Sequence, residues 1–233
     1  MIGYGLYSFS NSSDITIQSR VNPVFSQLTN YYSGDSVTTD KKSSSNGTLI
    51  NGATYGIGKN NNCFSLDGVN DYLSFPSDFF EPNGSFSFNC WFNTSSTSIL
   101  TLLCLTNASG YLGIRVYLGG ASRSINFSKF PISTTINTLS SSGGVYTNGA
   151  WNMLTIVNDI SVGMLIYCNG SLITSNATTS SVSWGSSTIQ RLGANYDGGT
   201  PFNGLIDEVS FFNSALSLAN HQTLYNSGSG IFY

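Results

Sequence analysis

Hydrophobic and polar residues alternate along much of the chain with a period of two. In the segment 85–92, Phe86, Phe88, Cys90 and Phe92 occupy every second position and therefore share one face of an extended backbone. This alternation is typical of a β-strand with one face in a core. We predict further strands at residues 110–118, 151–157, 163–168, 171–174, 188–192 and 205–212. Short strands with turn residues between them predict an antiparallel β-sandwich.

Local signals also predict one hairpin and one helix. Asn169-Gly170 stands between two of the strand segments. Both central positions of a two-residue hairpin turn need a positive φ, which Asn and Gly tolerate best, so this pair predicts a β-hairpin. Near the C-terminus, Ser217 is a good N-cap for a helix over residues 218–225.

Two long segments, 11–49 and 119–149, are rich in Ser and Thr and are predicted to be loops. Loops of this length in a compact domain usually carry function or move. No Pro/Gly-rich linker divides the chain into two apolar halves. We therefore predict a single all-β domain over residues 1–233, a two-sheet antiparallel sandwich with one short C-terminal helix.

Charged residues are scarce, at 8% of the chain, whereas about 25% is usual in globular proteins. Aromatic residues make up 13%, which a disordered chain would lack, so we expect a folded domain with a surface of hydroxyl and amide groups. The formal net charge is -3, with only eight basic residues. Nucleic acids and anionic membranes are therefore poor candidate partners. No stretch approaches the ~18 apolar residues of a membrane-spanning helix.

The four cysteines are Cys63, Cys90, Cys104 and Cys168. They are too few for a disulfide scaffold, and their spacing is not that of a metal site. We expect them to be buried and reduced, as in a protein that folds in a cytosol. The first residues, 1–5, show no basic region and no long apolar run, so we expect no signal peptide.

Short motifs follow one another along the chain at residues 5–9, 46–53, 65–73, 85–91, 149–153, 166–170, 202–209, 213–217 and 224–226. Their order resembles that of the laminin-G-like domains of the concanavalin A-like lectin/glucanase superfamily. The resemblance implies a jelly-roll sandwich whose first and last strands pair, so that residues 5–9 lie near 205–211. The chain departs from the family at Asn220, where an acidic residue usually completes the capping box, and we expect a slightly weaker helix.

Two runs, residues 46–55 and 224–230, resemble phage structural proteins in style. This resemblance implies a non-enzymatic virion component, such as a capsid decoration, head-fibre or tail-fibre module. Such a protein would fold in the host cytoplasm and reside on the virion surface. Its partners would be other virion proteins, further copies of itself and host-surface glycans. The alternative is a free-standing lectin or adhesin, extracellular or on the surface of a microbial cell, although a secreted adhesin would normally carry a signal peptide.

The sequence contains few residues that could form a catalytic site. Glycan-cleaving enzymes need two carboxylates on one side of a cleft. The adjacent pair Asp207-Glu208 should point to opposite faces of a strand, and the only other glutamate is Glu81. The sole histidine, His221, falls in the predicted helix with no nucleophile motif nearby, so we expect it to pack there or face solvent. We therefore predict that the protein is not an enzyme.

Calcium is the one cofactor that the sequence suggests. Asp67, Asn70 and Asp71 fall on one loop, and Asp207 could approach them from the last strand, which would give the oxygen ligands that Ca²⁺ prefers. The alternative is structural, because Asp-Gly and Asn-Asp pairs are ordinary turn residues. Asp207 also shares its predicted strand face with apolar residues, which suggests a buried acceptor for backbone N–H groups.

A sugar site needs an exposed aromatic ring with planar polar groups around it. The loop 195–202 offers Tyr196 with Asn195 and Asp197 on either side. Further aromatic candidates in predicted loops are Tyr31, Tyr32 and Trp184. The alternative is that these aromatic residues cap the ends of the sandwich or bind partner subunits.

Overall fold

Fifteen β-strands in two antiparallel sheets dominate the part of the chain that the computed structural model describes, residues 23–77, 79–82, 84–132, 134–185 and 188–233. The motif at residues 5–9 lies outside these residues, and so does its predicted pairing with the last strand. In the described residues, the last strand instead pairs with Leu28–Tyr32. The predicted all-β sandwich is confirmed.

The first sheet, sheet 1, contains eight strands. They are β1 (Leu28–Tyr32), β3 (Thr54–Ile57), β4 (Asn62–Asp67), β6 (Phe86–Asn93), β11 (Asn152–Asp159), β12 (Gly163–Cys168), β13 (Ser171–Asn176) and β15 (Asn203–Phe212). Seven of them follow the order β13-β12-β11-β6-β15-β4-β3, and β1 also pairs with β15.

The second sheet, sheet 2, contains seven strands. They are β2 (Thr48–Ile50), β5 (Tyr72–Ser74), β7 (Leu100–Thr106), β8 (Gly113–Leu118), β9 (Ile125–Ile132), β10 (Thr135–Ser140) and β14 (Ile189–Leu192). Their order is β10-β9-β8-β7-β14-β5-β2. Strand β14 therefore lies between β7 and β5, a pairing of segments that are far apart in sequence.

The main core lies between the sheets and contains the side chains that the alternation placed on one face of β6: Phe86, Phe88, Cys90 and Phe92. Sheet 1 is also covered on its outer side. There the helix α1 (Leu218–Tyr225) and the C-terminal residues pack on Trp91 in a second apolar cluster. The central strand β6 of sheet 1 is therefore buried on both faces.

The local predictions for the hairpin and the helix are confirmed. Asn169 and Gly170 have φ values of 48° and 83°, as the two-residue turn between β12 and β13 requires. The helix begins after Ser217, whose Oγ accepts the backbone N–H of Asn220 at 3.2 Å. The side chain of Asn220 accepts the backbone N–H of Ser217 at 3.0 Å, so this amide completes the capping box in place of an acid. In the described residues, no helix is long and apolar enough to span a membrane.

The prediction of a long loop at 119–149 is wrong, because β9 and β10 form a hairpin there. Its apolar alternation is interrupted by Lys129, which is fully buried at a core-facing position. The Lys129 ammonium donates to Asn158 Oδ1 at 2.6 Å and to the carbonyls of Thr178 and Ser180 at 2.8 and 2.6 Å. All three of its donors are thereby satisfied. The prediction for 11–49 is likewise wrong over β1 and β2.

All four cysteines are buried and free, as predicted. Cys63, Cys90, Cys104 and Cys168 have at most 1% of their surface exposed. Burial raises the pKa of the Cys63 and Cys168 thiols to about 12, so neither is a thiolate near neutral pH. These thiols act as small apolar side chains.

Candidate functional site

The only adjacent acid pair of the sequence, Asp207-Glu208, lies in the middle of β15. Asp207 Oδ2 accepts the backbone N–H groups of Lys59 and Asn60 at 2.8 and 3.1 Å. Glu208 accepts the hydroxyl of Tyr31 and, at 3.2 Å, the side-chain amide of Asn60. The prediction that the two acids point to opposite faces is wrong. Glu208 has a φ of 53° at a shift in strand register, and this bulge turns both carboxylates toward Asn60.

This acid pair is inaccessible to a substrate, since Asp207 and Glu208 are 0% and 3% exposed. Burial, together with the neighbouring Asp207, raises the pKa of Glu208 to about 8. Burial also raises the pKa of Asp207, whereas the three backbone N–H groups that it accepts act in the opposite direction. The pair therefore ties strands together, which is the buried-acceptor interpretation of Asp207.

The single histidine is equally structural. His221 is fully buried in α1, with Nδ1 2.7 Å from the Thr155 hydroxyl, and its Nε2 accepts the backbone N–H of Gly170 at 3.0 Å. Its ring stacks on Tyr167. Burial lowers the pKa of His221 to about 4, so the imidazole is neutral at physiological pH. This is the packing role expected from the sequence.

The candidate metal ligands separate into two places. Asp71 Oδ1 and Oδ2 accept the backbone N–H groups of Gly52 and Asp67 at 2.7 and 3.1 Å, as a turn-forming side chain does. Asn203 of β15 pairs with Asp67, and Asp207 lies four residues beyond Asn203, a separation of about 13 Å at ~3.3 Å per residue. Asp207 is thus too distant to join a site with Asp67 and Asp71. Within the described ranges, no group of three His, Cys, Asp or Glu side chains is placed to hold a metal ion.

The candidate sugar-binding loop, residues 195–202, lies between β14 and β15, and its first residues cross the outer face of sheet 2. Arg191 holds it there, because its Nη1 donates to the carbonyls of Asn195 and Tyr196 at 2.8 and 3.3 Å. The Tyr196 ring lies against Gly110, where a Cβ atom would come within 2.5 Å of the ring. Only glycine fits at that position, and its φ of +74° also favours glycine. The loop therefore presents Tyr196 in a defined position.

Beside this loop the surface forms a cleft of about 290 Å³, which we call the Tyr72–Tyr196 cleft. Its polar and aromatic walls are formed by Asn51, Asn70, Tyr72, Arg191, Tyr196 and Asp197. The Arg191 guanidinium lies 4.5 Å from the centre of the Tyr72 ring, and Asn51 donates to the Asn70 carbonyl at 2.5 Å. Two tyrosine rings are thus surrounded by two amides, a carboxylate and a guanidinium.

Three of the aromatic residues predicted as sugar platforms are core residues instead. Tyr31 and Tyr32 are fully buried, and Trp184 is 6% exposed. Trp184 packs on Phe86, and its indole N–H donates to the Pro82 carbonyl at 3.1 Å. Exposure of a loop aromatic depends on how the loop folds back over the sandwich, which the local sequence does not encode. Of the predicted glycan residues, Tyr196 and Asp197 line the cleft, while the Asn195 side chain lies near Cys104, with Oδ1 3.7 Å from the thiol.

The sequence analysis missed Asn51, in the turn after β2, and two cleft residues on strands, Tyr72 and Arg191. The signal of the two strand residues is the strand period: each precedes a leucine that faces the core, Leu73 and Leu192, so each points outward. The pairing of Arg191 with Ser74 brings β5 beside β14. That pairing joins segments more than a hundred residues apart and has no local signature.

The two antiparallel sheets form a sandwich of the jelly-roll kind, and the Tyr72–Tyr196 cleft lies on the outer face of sheet 2. Residues 67–220 match the laminin-G-type family model described as the concanavalin A-like lectin/glucanases superfamily. The chain belongs to this superfamily, which confirms the resemblance seen in its motifs. Among curated proteins, none matches the sequence.

Solved structures share the fold at low identity. Domain 4 of AbnA, a GH43 extracellular arabinanase from Geobacillus stearothermophilus, in complex with arabinotriose, is 22% identical with a TM-score of 0.63, over 84% of this chain and 97% of that domain. The receptor binding domain of botulinum neurotoxin C/D mosaic serotype is 15% identical, with a TM-score of 0.70 over 86% of this chain and 51% of its own length. The binding domain of botulinum neurotoxin DC in complex with SialylT is 14% identical, with a TM-score of 0.69 over 88% of this chain and 52% of its own length. The chain thus spans about half of the toxin domains.

The contribution of Glu208 to stability should fall as the pH rises from about 4 toward 8. In this range folded Glu208, with its pKa of about 8, holds a proton that the unfolded chain, with a glutamate pKa of about 4.3, has lost. The folded state then binds more protons, so the free energy of unfolding decreases as pH increases. Glu208→Gln imitates the protonated carboxyl group. We expect its melting temperature relative to the wild type to rise between about pH 5 and pH 8.

The exposed Asp197→Asn substitution is the control for this measurement, and its melting profile should run parallel to that of the wild type. Titration of His221 affects all three proteins equally, so it cancels in the differences. Parallel profiles for Glu208→Gln and the wild type would show that Glu208 does not hold the extra proton.

Metal removal should leave stability unchanged. Both Asp71 oxygens accept backbone N–H groups and Asp207 lies elsewhere, so no Ca²⁺ is needed to satisfy these acids. We expect the same melting temperature in EDTA and in excess Ca²⁺. An increase with Ca²⁺ that EDTA reverses, and that Asp67→Asn abolishes, would instead establish the metal site at the 67–71 loop.

Proposed function

We propose that this protein is a non-enzymatic carbohydrate-binding domain that holds a sugar in the Tyr72–Tyr196 cleft. The observation that carries this proposal is the composition of the cleft: two tyrosine rings with Asn51, Asn70 and Asp197 around them. The buried state of Asp207 and Glu208 supports a binding role over catalysis, because the acid pair cannot reach a glycosidic bond. The similarity to AbnA domain 4, which was solved with arabinotriose, supports the ligand class.

The physical basis is the match between sugar and cleft. The apolar C–H face of a pyranose or furanose ring can pack on Tyr72 or Tyr196, while the hydroxyl groups at its edge bond to planar amide and carboxylate groups. Tyr196 is pre-positioned by the Arg191 hydrogen bonds to its loop and by its packing on Gly110. A rigid aromatic wall reduces the entropy lost on binding.

The setting that we propose for this binding domain is the surface of a virion. The resemblance of residues 46–55 and 224–230 to phage structural proteins supports this setting, and so does a hydroxyl-rich composition with few charges. Such a domain would assemble with other virion proteins and with copies of itself. The alternative setting is the surface of a microbial cell or its surroundings. Copurification of the chain with particles, together with its mass in solution, tests the virion setting; a monomer that never accompanies particles would contradict it.

Glycan binding should depend on the two tyrosine rings of the cleft. We expect Tyr196→Ala and Tyr72→Ala each to weaken binding about fivefold or more on a glycan array, because loss of a stacked ring removes about 1 kcal/mol of binding free energy. The matched control is Tyr117→Ala, which removes a partly exposed tyrosine of β8 that does not line the Tyr72–Tyr196 cleft. This variant should bind like the wild type. A folded wild type that binds no glycan, or binding that all three variants retain, would contradict the proposal.

A further inference from the structure

A second cleft, of about 260 Å³, lies on the outer face of sheet 2 and is lined by Tyr111, Arg115, Phe130, Thr134, Thr135 and Ile136. We call it the Arg115 cleft. Its rim is unusually apolar for a solvent-facing surface, since Tyr111 is 55% and Ile136 52% exposed. None of its lining residues is acidic. It therefore combines apolar walls with one cation.

The two clefts adjoin where Arg115, which lines the second, meets Tyr196, which lines the first. The Arg115 guanidinium lies 5.8 Å from the centre of the Tyr196 ring on one side and 4.9 Å from that of Phe130 on the other. Along the sheet, Arg191, Cys104 and Arg115 are directly paired on the neighbouring strands β14, β7 and β8. With neighbouring strands about 4.8 Å apart, the two arginine backbones are separated by about 10 Å. A short oligosaccharide that passes over Tyr196 can therefore occupy both clefts.

Among the described residues, Arg115 has no carboxylate partner for its charge. Within the part of the chain that the structure describes, no carboxylate lies within 4.0 Å of it, since the ion pair found there is Lys41–Asp35. Its buried Nε–H also has no acceptor. Arg191 differs from Arg115, because its Nη1 donates hydrogen bonds to the carbonyls of Asn195 and Tyr196. Ring stacking thus fixes the position of the Arg115 guanidinium and leaves its charge uncompensated.

An uncompensated guanidinium between aromatic rings is suited to a carboxylate. The planar fork of arginine donates two parallel hydrogen bonds to such a group, and each charge-assisted bond is about twice as strong as a neutral one. A carboxylate seated between Tyr111 and Ile136 would be partly shielded from water, which strengthens the attraction. The chain as a whole is acidic, with a net charge of -3, so general electrostatics would not select an anion. A preference for an acid would therefore have to come from a local cation, and Arg115 is the one that lines this cleft.

We propose that the ligand is an acidic oligosaccharide, with a sugar ring in the Tyr72–Tyr196 cleft and the carboxylate of an adjoining acidic sugar on Arg115. This inference rests on the proposed function and specifies its substrate class. Tyr196 then has two roles. Its ring forms a wall of the Tyr72–Tyr196 cleft, and its contact with Arg115 orients the guanidinium in the Arg115 cleft.

The test compares one oligosaccharide in two forms, the acid and its carboxyl-reduced neutral counterpart, by calorimetric titration of the purified chain. We expect the wild type to bind the acid about tenfold more tightly, and the difference to shrink at high salt. Arg115→Gln should bind the acid and the neutral form equally, because it removes the cation that separates them. Arg115→Lys keeps the charge but loses the fork, so it should retain only part of the preference.

Arg123→Gln is the matched control, because it removes the same charge from an exposed residue in the turn between β8 and β9. It should keep the full preference for the acid. Melting temperatures of all variants confirm that they are folded, since Arg115 packs on two rings.

The outcomes separate this inference from the proposed function. If the wild type binds the neutral form and the acid equally, and Tyr196→Ala abolishes both, the sugar site stands and the acidic ligand is wrong. If a preference for the acid persists in Arg115→Gln, or vanishes equally in Arg123→Gln, Arg115 is not its origin. If a sulfated counterpart binds tightly and the carboxylate does not, the assigned anion is wrong. If no saccharide binds the folded wild type, the proposed function itself fails.

Discussion

The structure depends on two buried carboxylates in the middle of one strand. β15 pairs with β6 along one edge, while its other edge meets β4 up to Ile206 and β1 from Val209 onward. Asp207 and Glu208 lie where the partner changes. Their oxygens accept backbone N–H groups from the turn after β3 and the hydroxyl of a β1 tyrosine, so one point holds three segments that are distant in sequence. Burying two acids costs free energy, and these donors offset it.

Local patterns predicted the elements whose signals are local. The alternation in β6, the Asn-Gly turn after β12 and the Ser217 cap each follow from a few neighbouring residues. The hairpin of β9 and β10 was not predicted because Lys129 occupies a core position. The three oxygen atoms that accept hydrogen bonds from Lys129 belong to other segments. The geometry of the acid pair escaped for a similar reason: nothing in a glutamate signals the positive φ of Glu208, which the surrounding strands impose.

The binding face illustrates the same division between local and distant information. Tyr196 was recognisable as a loop aromatic with polar neighbours, but Trp184 fitted the same description and is buried. What distinguishes them is the partner that each loop finds: Gly110 and Arg191 for Tyr196, Phe86 and Pro82 for Trp184. A jelly-roll sandwich supports many functions, so a function for this domain has to be inferred from the side chains on sheet 2.

The scarcity of charge noted in the sequence has a consequence for where such a protein can work. The ion pair in the described residues, Lys41–Asp35, is exposed and contributes little, so cohesion comes from burial and from hydrogen bonds, which dissolved ions hardly screen. A fold of this kind keeps its shape in fresh water, in a cell or in brine alike. A change in salt concentration would therefore alter ligand binding far more than the stability of the domain.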